Sequence, residues 1–305
     1  MTLFRSALAL CLVVLCAPFA HGQTTSEPEE PDYAFIAGGP YTQLKHSIQF
    51  IHAFNYGTRR FSVPGGSRNE DEFLFFQRTE WGFTDRLELD VITPAAGSRE
   101  RISGSATTSD YAFSDTVLGL RYRLLTEEKA PFTLTMGPQL ILPTGSVRRG
   151  TGAGSAGFAW DVSAAKDWGG PVFVISSVNY SVLPSANDVT PGSGRGFTLH
   201  GAEWAAALGI RALERPSGEA NHDIHVFLET GGSWNHEVSP GLTVGSRDSK
   251  LAWVFAPGVR YGFITAKKTL VEIGISVPIG LGPNGPKKGI IIQFQFERVF
   301  GAPSK

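Results

Sequence analysis

The chain is poor in the residues that make most enzymes and most small secreted domains. It has 2 cysteines, Cys11 and Cys16, and both fall within the first 22 positions. The remainder has none, which excludes disulfides, thiol catalysis and cysteine-ligated metal there. Charge is scarce: 18% of residues are charged and the net charge is -1, against about 25% charged residues in an ordinary soluble protein. Nothing in that balance points to nucleic acid. After residue 22 no apolar run is long enough for a membrane helix, and no amphipathic helical period of useful length appears. No G-x-S-x-G motif is present, so no enzyme and no cofactor are expected. What is present is apolar and dispersed: 42% hydrophobic residues, 11% aromatics and 36 glycines. That content is too high for a disordered chain.

Residues 1–22 read as a secretory signal cleaved after Gly22. Arg5 supplies the positive start, residues 7–19 the short apolar stretch, and Ala20-His21-Gly22 the small residues before the cut. Residues 23–40 (QTTSEPEEPDYAFIAGGP) are acidic and proline-rich. They predict a flexible, exposed periplasmic lead-in. Residues 301–305 are a short tail, and everything between, 41–300, has one character.

That character is a period of two. Leu44, His46, Ile48, Phe50, His52 and Phe54 share one face, with Lys45, Ser47, Gln49 and Asn55 on the other. Leu118, Leu120, Tyr122 and Leu124 oppose Arg121 and Arg123; Val271, Ile273, Ile275 and Val277 oppose Glu272 and Ser276. Residues 172–183 are ambiguous in phase. Twelve such strands of about 8–14 residues fit a tilted membrane strand, which needs about 9–11. The links alternate in length. Short ones fall near 84–86, 126–131, 167–171, 213–221 and 263–268, and long ones near 57–71, 94–113, 143–156, 184–197, 236–249 and 280–287. A barrel with tight turns on one rim and larger loops on the other has this signature.

The expected fold is therefore all-β, a transmembrane antiparallel up-and-down β-barrel of about 12 strands. It would sit among lipid and lipopolysaccharide in the outer membrane of a Gram-negative bacterium. Unpaired backbone groups cost several kcal/mol in hydrocarbon, so a chain without spanning helices must close its sheet. Tyr56, Trp81, Trp168, Tyr180, Trp253, Tyr261 and Phe300 stand near strand ends, where interfacial girdles lie. His52 on the lipid-facing phase, and Pro138 and Pro257 within strands, fit less well. A secreted soluble β-barrel binding protein is the alternative.

Three patterns bear on chemistry. Residues 152–157 match G-x-G-x-x-G, but a β-alternating segment follows them rather than a helix, so they read as an external loop. His222 and His225 flank Asp223, and His236 precedes Glu237. On a strand His222 and His225 point to opposite faces, so no metal site is expected. The third pattern is charge on the non-lipid face. Arg78, Glu80, Glu88, Asp90, Asp115, Arg121, Arg123, Asp161, Glu203, Arg211, Glu229, Arg260, Glu272 and Glu297 are candidates to line the lumen. Lone buried charges are not tolerated, so they either pair into a network that fills the lumen or border a narrow wet passage. Phe113, Phe197 and Leu242 are candidates for an external mouth.

Short stretches also resemble a known family. These are Gly82-Phe83-Thr84-Asp85-Arg86-Leu87-Glu88-Leu89 and Leu142-Pro143-Thr144-Gly145 followed by Gly150-Thr151-Gly152-Ala153-Gly154-Ser155. Later landmarks are Val178-Asn179-Tyr180, Ala256-Pro257-Gly258-Val259-Arg260-Tyr261 and Val277-Pro278. Together they are similar to the outer-membrane transporter family named for the meta-pathway of phenol degradation, over roughly residues 42–300. The resemblance implies an outer-membrane barrel admitting small hydrophobic or aromatic solutes, without catalytic residues. A structural or interaction barrel without a transport role is the other reading.

Overall fold

The computed structural model describes residues 34–63, 66–103, 107–186, 197–213, 222–238, 250–264, 269–282 and 287–299. The proposed signal 1–22, the lead-in up to 33, Leu242 and Phe300 lie outside them.

Where the sequence alternates, the chain forms one antiparallel ladder after another. The strands are β1 (Ser47–Val63), β2 (Gly66–Thr84), β3 (Leu87–Ile102), β4 (Thr108–Phe113), β5 (Thr116–Leu125), β6 (Thr133–Leu142) and β7 (Gly157–Asp167). They continue with β8 (Val172–Ala186), β9 (Phe197–Leu213), β10 (His222–Val238), β11 (Lys250–Ile264), β12 (Thr269–Ser276), β13 (Ile279–Gly280) and β14 (Lys288–Val299). β4 and β5 are halves of one strand lying along β3, broken at Ser114 and Asp115. β12 and β13 are halves of another along β11, broken at Val277 and Pro278. The architecture is thus twelve-stranded, as the alternation predicts. β1 pairs with β14 from Ser47↔Val299 to Thr58↔Lys288, and this pairing closes the sheet.

Burial is inside out relative to a soluble protein. On β12, Ile273 is 53% exposed while Glu272 beside it is 3% exposed. On β14, Ile292 and Phe294 face outward, and Gln293 and Gln295 are buried. A continuous outward apolar belt over a polar interior suits hydrocarbon and opposes a soluble binding-protein reading. His52 belongs to that belt through its neighbours, stacked between Phe75 and Phe294 at ring distances of 6.2 and 6.4 Å. Pro257 stands beside the β12–β13 break, where its carbonyl accepts the N–H of Val277. The ladder there is already interrupted, so a residue without a donor does no harm.

The sequence reading fell short on length. β1, β2 and β3 have 17, 19 and 16 residues, and much of 57–71 and 94–113 is ladder rather than loop. A strand as long as β2, tilted by about 40°, rises roughly 45 Å, past an apolar band of about 25 Å. The overhang is held by ion pairs, Arg59 to Glu70 (2.6 Å) and Glu72 (2.9 Å), Arg68 to Glu100 (3.0 Å), and Arg101 to Asp71 (2.6 Å). Both its faces carry polar residues, so the hydrophobic alternation that marks the membrane part fades there.

Closure has a direct test. Unheated protein in detergent is expected to migrate differently from boiled protein, and identical mobility would contradict a closed sheet.

Candidate functional site: an occupied lumen

The lumen has two kinds of wall. On β2, β3, β5 and β7 it is ionic. Arg78 pairs with Glu80 at 2.7 Å and with Asp90, and Arg121 pairs with Glu88 at 2.9 Å and reaches Asp161 at 3.6 Å. Glu80, Glu88 and Asp90 have no exposed surface. At one level of β7 to β10 the inward residues are apolar, and Ala165, Phe173, Ile175, Ala205, Ala207 and Phe227 form one buried cluster, while Ser163 and Glu229 are buried polar residues of the same strands. Strands β8 to β10 therefore carry apolar residues on both faces. This is the physical reason that 172–183 is ambiguous in phase.

Between the walls lies a strap that sequence reasoning missed. Residues 34–40 were expected to belong to an exposed lead-in, but Ala34, Phe35 and Ala37 are buried inside the barrel, as are Tyr41, Thr42 and Gln43. Glu229 on β10 accepts three consecutive backbone N–H groups of the strap, from Phe35 (2.8 Å), Ile36 (2.7 Å) and Ala37 (3.1 Å). Gly38 N–H donates to Ser177 Oγ at 3.0 Å. The carbonyl of Gly39 accepts from Arg121 and from Ser163, and that of Pro40 accepts from Thr135 Oγ1. At its far end Gln43 joins the ionic wall, its backbone N–H donating to Glu88 and its amide to Glu80 at 3.1 Å and Gln49 at 2.8 Å. An irregular segment is tolerable at membrane depth because every one of these backbone groups finds a partner on the wall. The one sequence signal for it was the apolar Ala34-Phe35-Ile36-Ala37 run, set in an otherwise acidic stretch.

The fourteen predicted charges thus divide by task. Arg78, Glu80, Glu88, Asp90, Arg121 and Asp161 form the ionic wall, and Glu229 holds the strap. Glu203 faces the open part of the lumen and is exposed, in register with Asn179 and Ser233. Arg260 pairs with Glu272 at 3.4 Å, and Glu297 lies opposite Gln49 in the closing ladder. Three of the fourteen serve the rims instead. Arg123 donates to the Asp85 carbonyl in the β2–β3 turn. Arg211 pairs with Asp167 and donates to the Gly170 carbonyl at 2.6 Å, bracing the β7–β8 turn. On the same rim, burial pushes the Glu127 carboxyl up from its ordinary value, opposed by the Asp167 N–H and by Lys166.

Asp115 is the third. It does not line the lumen but ties down the loop at 143–156, accepting the N–H of Gly145 (2.9 Å) and of Ala153 (2.8 Å). A Cβ on Gly152 would lie 2.8 Å from its carboxylate, so a glycine is required there. The glycine-rich motif is a tethered loop running into a strand, as expected. Removing two charge-assisted hydrogen bonds, each about 1.5–3 kcal/mol, should loosen it. Asp115→Ala is expected to speed tryptic cleavage after Arg148 or Arg149 about ten-fold or more, and an unchanged cleavage rate would reject the tether.

Two groups bring three candidate metal ligands within 4.8 Å of one another, Glu80 with Glu88 and Asp90, and Asp223 with His225 and Glu272. Guanidinium groups already serve both, Arg78 and Arg121 in the first and Arg260 in the second. His222 points outward and stacks on Tyr261 at 5.7 Å, so His222 and His225 do face opposite ways. His236 stacks on Trp234 at 5.6 Å. Of the candidates for an external mouth, Phe113 is 74% exposed and in register with Ala95, on the outward face of β3, and Phe197 is half-buried.

A closed, twelve-stranded, inside-out sheet with a filled lumen can be set against known structures. This is the fold of an outer-membrane barrel. The chain is similar to the COG4313 outer membrane channel from Pseudomonas putida F1, at 14% identity and a TM-score of 0.57, over 91% of this chain and 100% of that one. It is also similar to the β domain of the Bordetella autotransporter BrkA, at 9% identity and a TM-score of 0.49, over 84% of this chain and 100% of that one. No protein-family model and no curated protein matches the sequence.

Proposed function

We propose that the protein is an outer-membrane channel for passive uptake of small hydrophobic or aromatic solutes, kept shut by its own strap. It works in the outer membrane of a Gram-negative bacterium, among lipid and lipopolysaccharide. The observation that carries the reading is how the strap is held. Its polar contacts are hydrogen bonds, most of them from backbone amides and carbonyls to side chains of the wall, so they are replaceable by water or solute. The apolar patch beside the strap supports apolar or aromatic solutes, in keeping with the resemblance to the phenol-degradation transporters. The channel reported from Pseudomonas putida F1 has the same fold.

Bilayer recording on the full chain tests this. A small, intermittent conductance is expected, together with slower uptake of aromatic compounds in a deletion strain. A large, permanently open current would remove the strap from the account, and unchanged uptake across a solute panel would remove the channel. The filled lumen also favours a second reading, a purely structural barrel. Silence in the bilayer, combined with envelope sensitivity of the deletion strain, would decide for it.

A further inference from the structure

The strap does more than fill space, because one of its side chains occupies a place the wall has left bare. Gly258 on β11 and Gly274 on β12 both face the lumen, and the Phe35 ring lies against them. A Cβ at Gly258 would come within 2.5 Å of that ring, and one at Gly274 within 2.6 Å. The ring's edge meets Phe227, with centroids 5.9 Å apart and planes at 90°. Directly beside the ring, the Glu229 carboxylate takes the Phe35 N–H at 2.8 Å. Glycine inside a strand marks a bulge, a bend or a close approach by something else, and here the thing approaching is an aromatic ring.

The wall elsewhere solves the same problem with its own residues. On β9, Gly209 is covered by the Phe173 ring, with a Cβ there falling 2.1 Å from it. Phe173 is a strand residue, in register with Gly209, and stays with the barrel. Phe35 is not. It is delivered by a segment tied only by hydrogen bonds, so the site at Gly258 and Gly274 is empty whenever the strap leaves. The part of Phe35 that fills it, amide nitrogen, Cα, Cβ and phenyl ring, is the skeleton of a 2-arylethylamine.

We propose that Gly258, Gly274, Phe227 and Glu229 form a binding seat for solutes with an aromatic ring and an N–H donor two carbons away, with Phe35 as its built-in competitor. The ring would lie on the two glycines against Phe227, where aromatic edge contacts are favourable. The amine would take the place of the strap N–H groups on Glu229, an ammonium–carboxylate bond in exchange for amide–carboxylate ones. This deepens the channel reading above and rests on it for its biological use, but not for the binding itself.

The test uses full-length protein in detergent, with 2-phenylethylamine as probe and heat-modifiable migration confirming that each variant is folded. Phe35→Ala is expected to bind the probe at least ten-fold more tightly than the unaltered protein, because the competing ring is gone and only the backbone N–H groups remain to be displaced from Glu229. In the Phe35→Ala background, ethylbenzene and butylamine should each bind at least ten-fold more weakly than 2-phenylethylamine. Adding Gly274→Val should abolish binding by filling the seat. If that variant does not fold, Gly258→Val makes the same test from the neighbouring strand. Adding Glu229→Gln should weaken the amine at least ten-fold while leaving ethylbenzene unchanged. No binding to folded Phe35→Ala, or binding indifferent to both the glycine and the Glu229 substitutions, overturns the seat. Binding as expected in a protein that takes up no aromatic solute keeps the seat and rejects the channel. Uptake without binding does the opposite.

Discussion

Glu229→Ala is expected to raise the time-averaged conductance of the reconstituted barrel at least ten-fold. One carboxylate holds three successive amides of the strap, and hydrogen bonds to a charged group contribute about 1.5–3 kcal/mol each. Water entering the lumen recovers much of that gross sum, so the net change is smaller. A shift of only about 1.4 kcal/mol between shut and open states is already a ten-fold change in their ratio. Glu229→Gln keeps an acceptor but not the charge, and should lie between the two. Deleting residues 23–40 should open the barrel at least as far as Glu229→Ala does. If neither change alters conductance, the strap is not the gate. Steps confined to opening frequency, with unit conductance constant, would show that the strap moves as a whole.

Arg121→Met should give the largest loss of stability of any single change in the lumen. Arg121 is 1% exposed and stands between Glu88, Asp161, Ser163 and the Gly39 carbonyl. Removing it leaves Glu88 and Asp161 without their guanidinium partner. Breaking a buried pair from one side costs about 3–5 kcal/mol, so a clear fall in the urea midpoint of unfolding from lipid is expected. Restoring charge balance with Arg121→Met and Glu88→Gln together should recover part of it, because the uncompensated carboxylate is then gone. An Arg121→Met midpoint within error of the unaltered protein would mean that the ionic wall does not stabilise the fold. The same variant should also raise the conductance, since it removes one of the two side chains that hold the Gly39 carbonyl at the middle of the strap.

The sheet was legible because a strand records its two environments at alternate positions. Ile273 and Glu272, or Phe294 and Gln295, state lipid and lumen in adjacent letters. Face was therefore readable for almost every lumen charge, with Asp115 the clear exception. Partnership was not. Glu229 meets Phe35 across 194 positions, and nothing near either residue announces the other. The overhang of β1 to β3 was hidden for a different reason, since polar residues on both faces erase the alternation. The strap was hidden by its setting, four apolar residues at the end of an acidic, proline-rich stretch that reads as solvated. Phe173 and Ile175 carried a trace of it, because a lumen wall turns apolar only where something apolar lies against it.

The mixed wall has a consequence for anything apolar inside the barrel. Along β7, β8 and β9 the inward side chains pass from Ala165, Ile175 and Ala207 to Asp161, Asn179 and Glu203 within two rungs of the ladder on each side of Ser163 and Ser177. The interior therefore changes from oily to wet with depth. An apolar group held by the strap has its place at the oily level, and the strap's polar backbone meets the wet one.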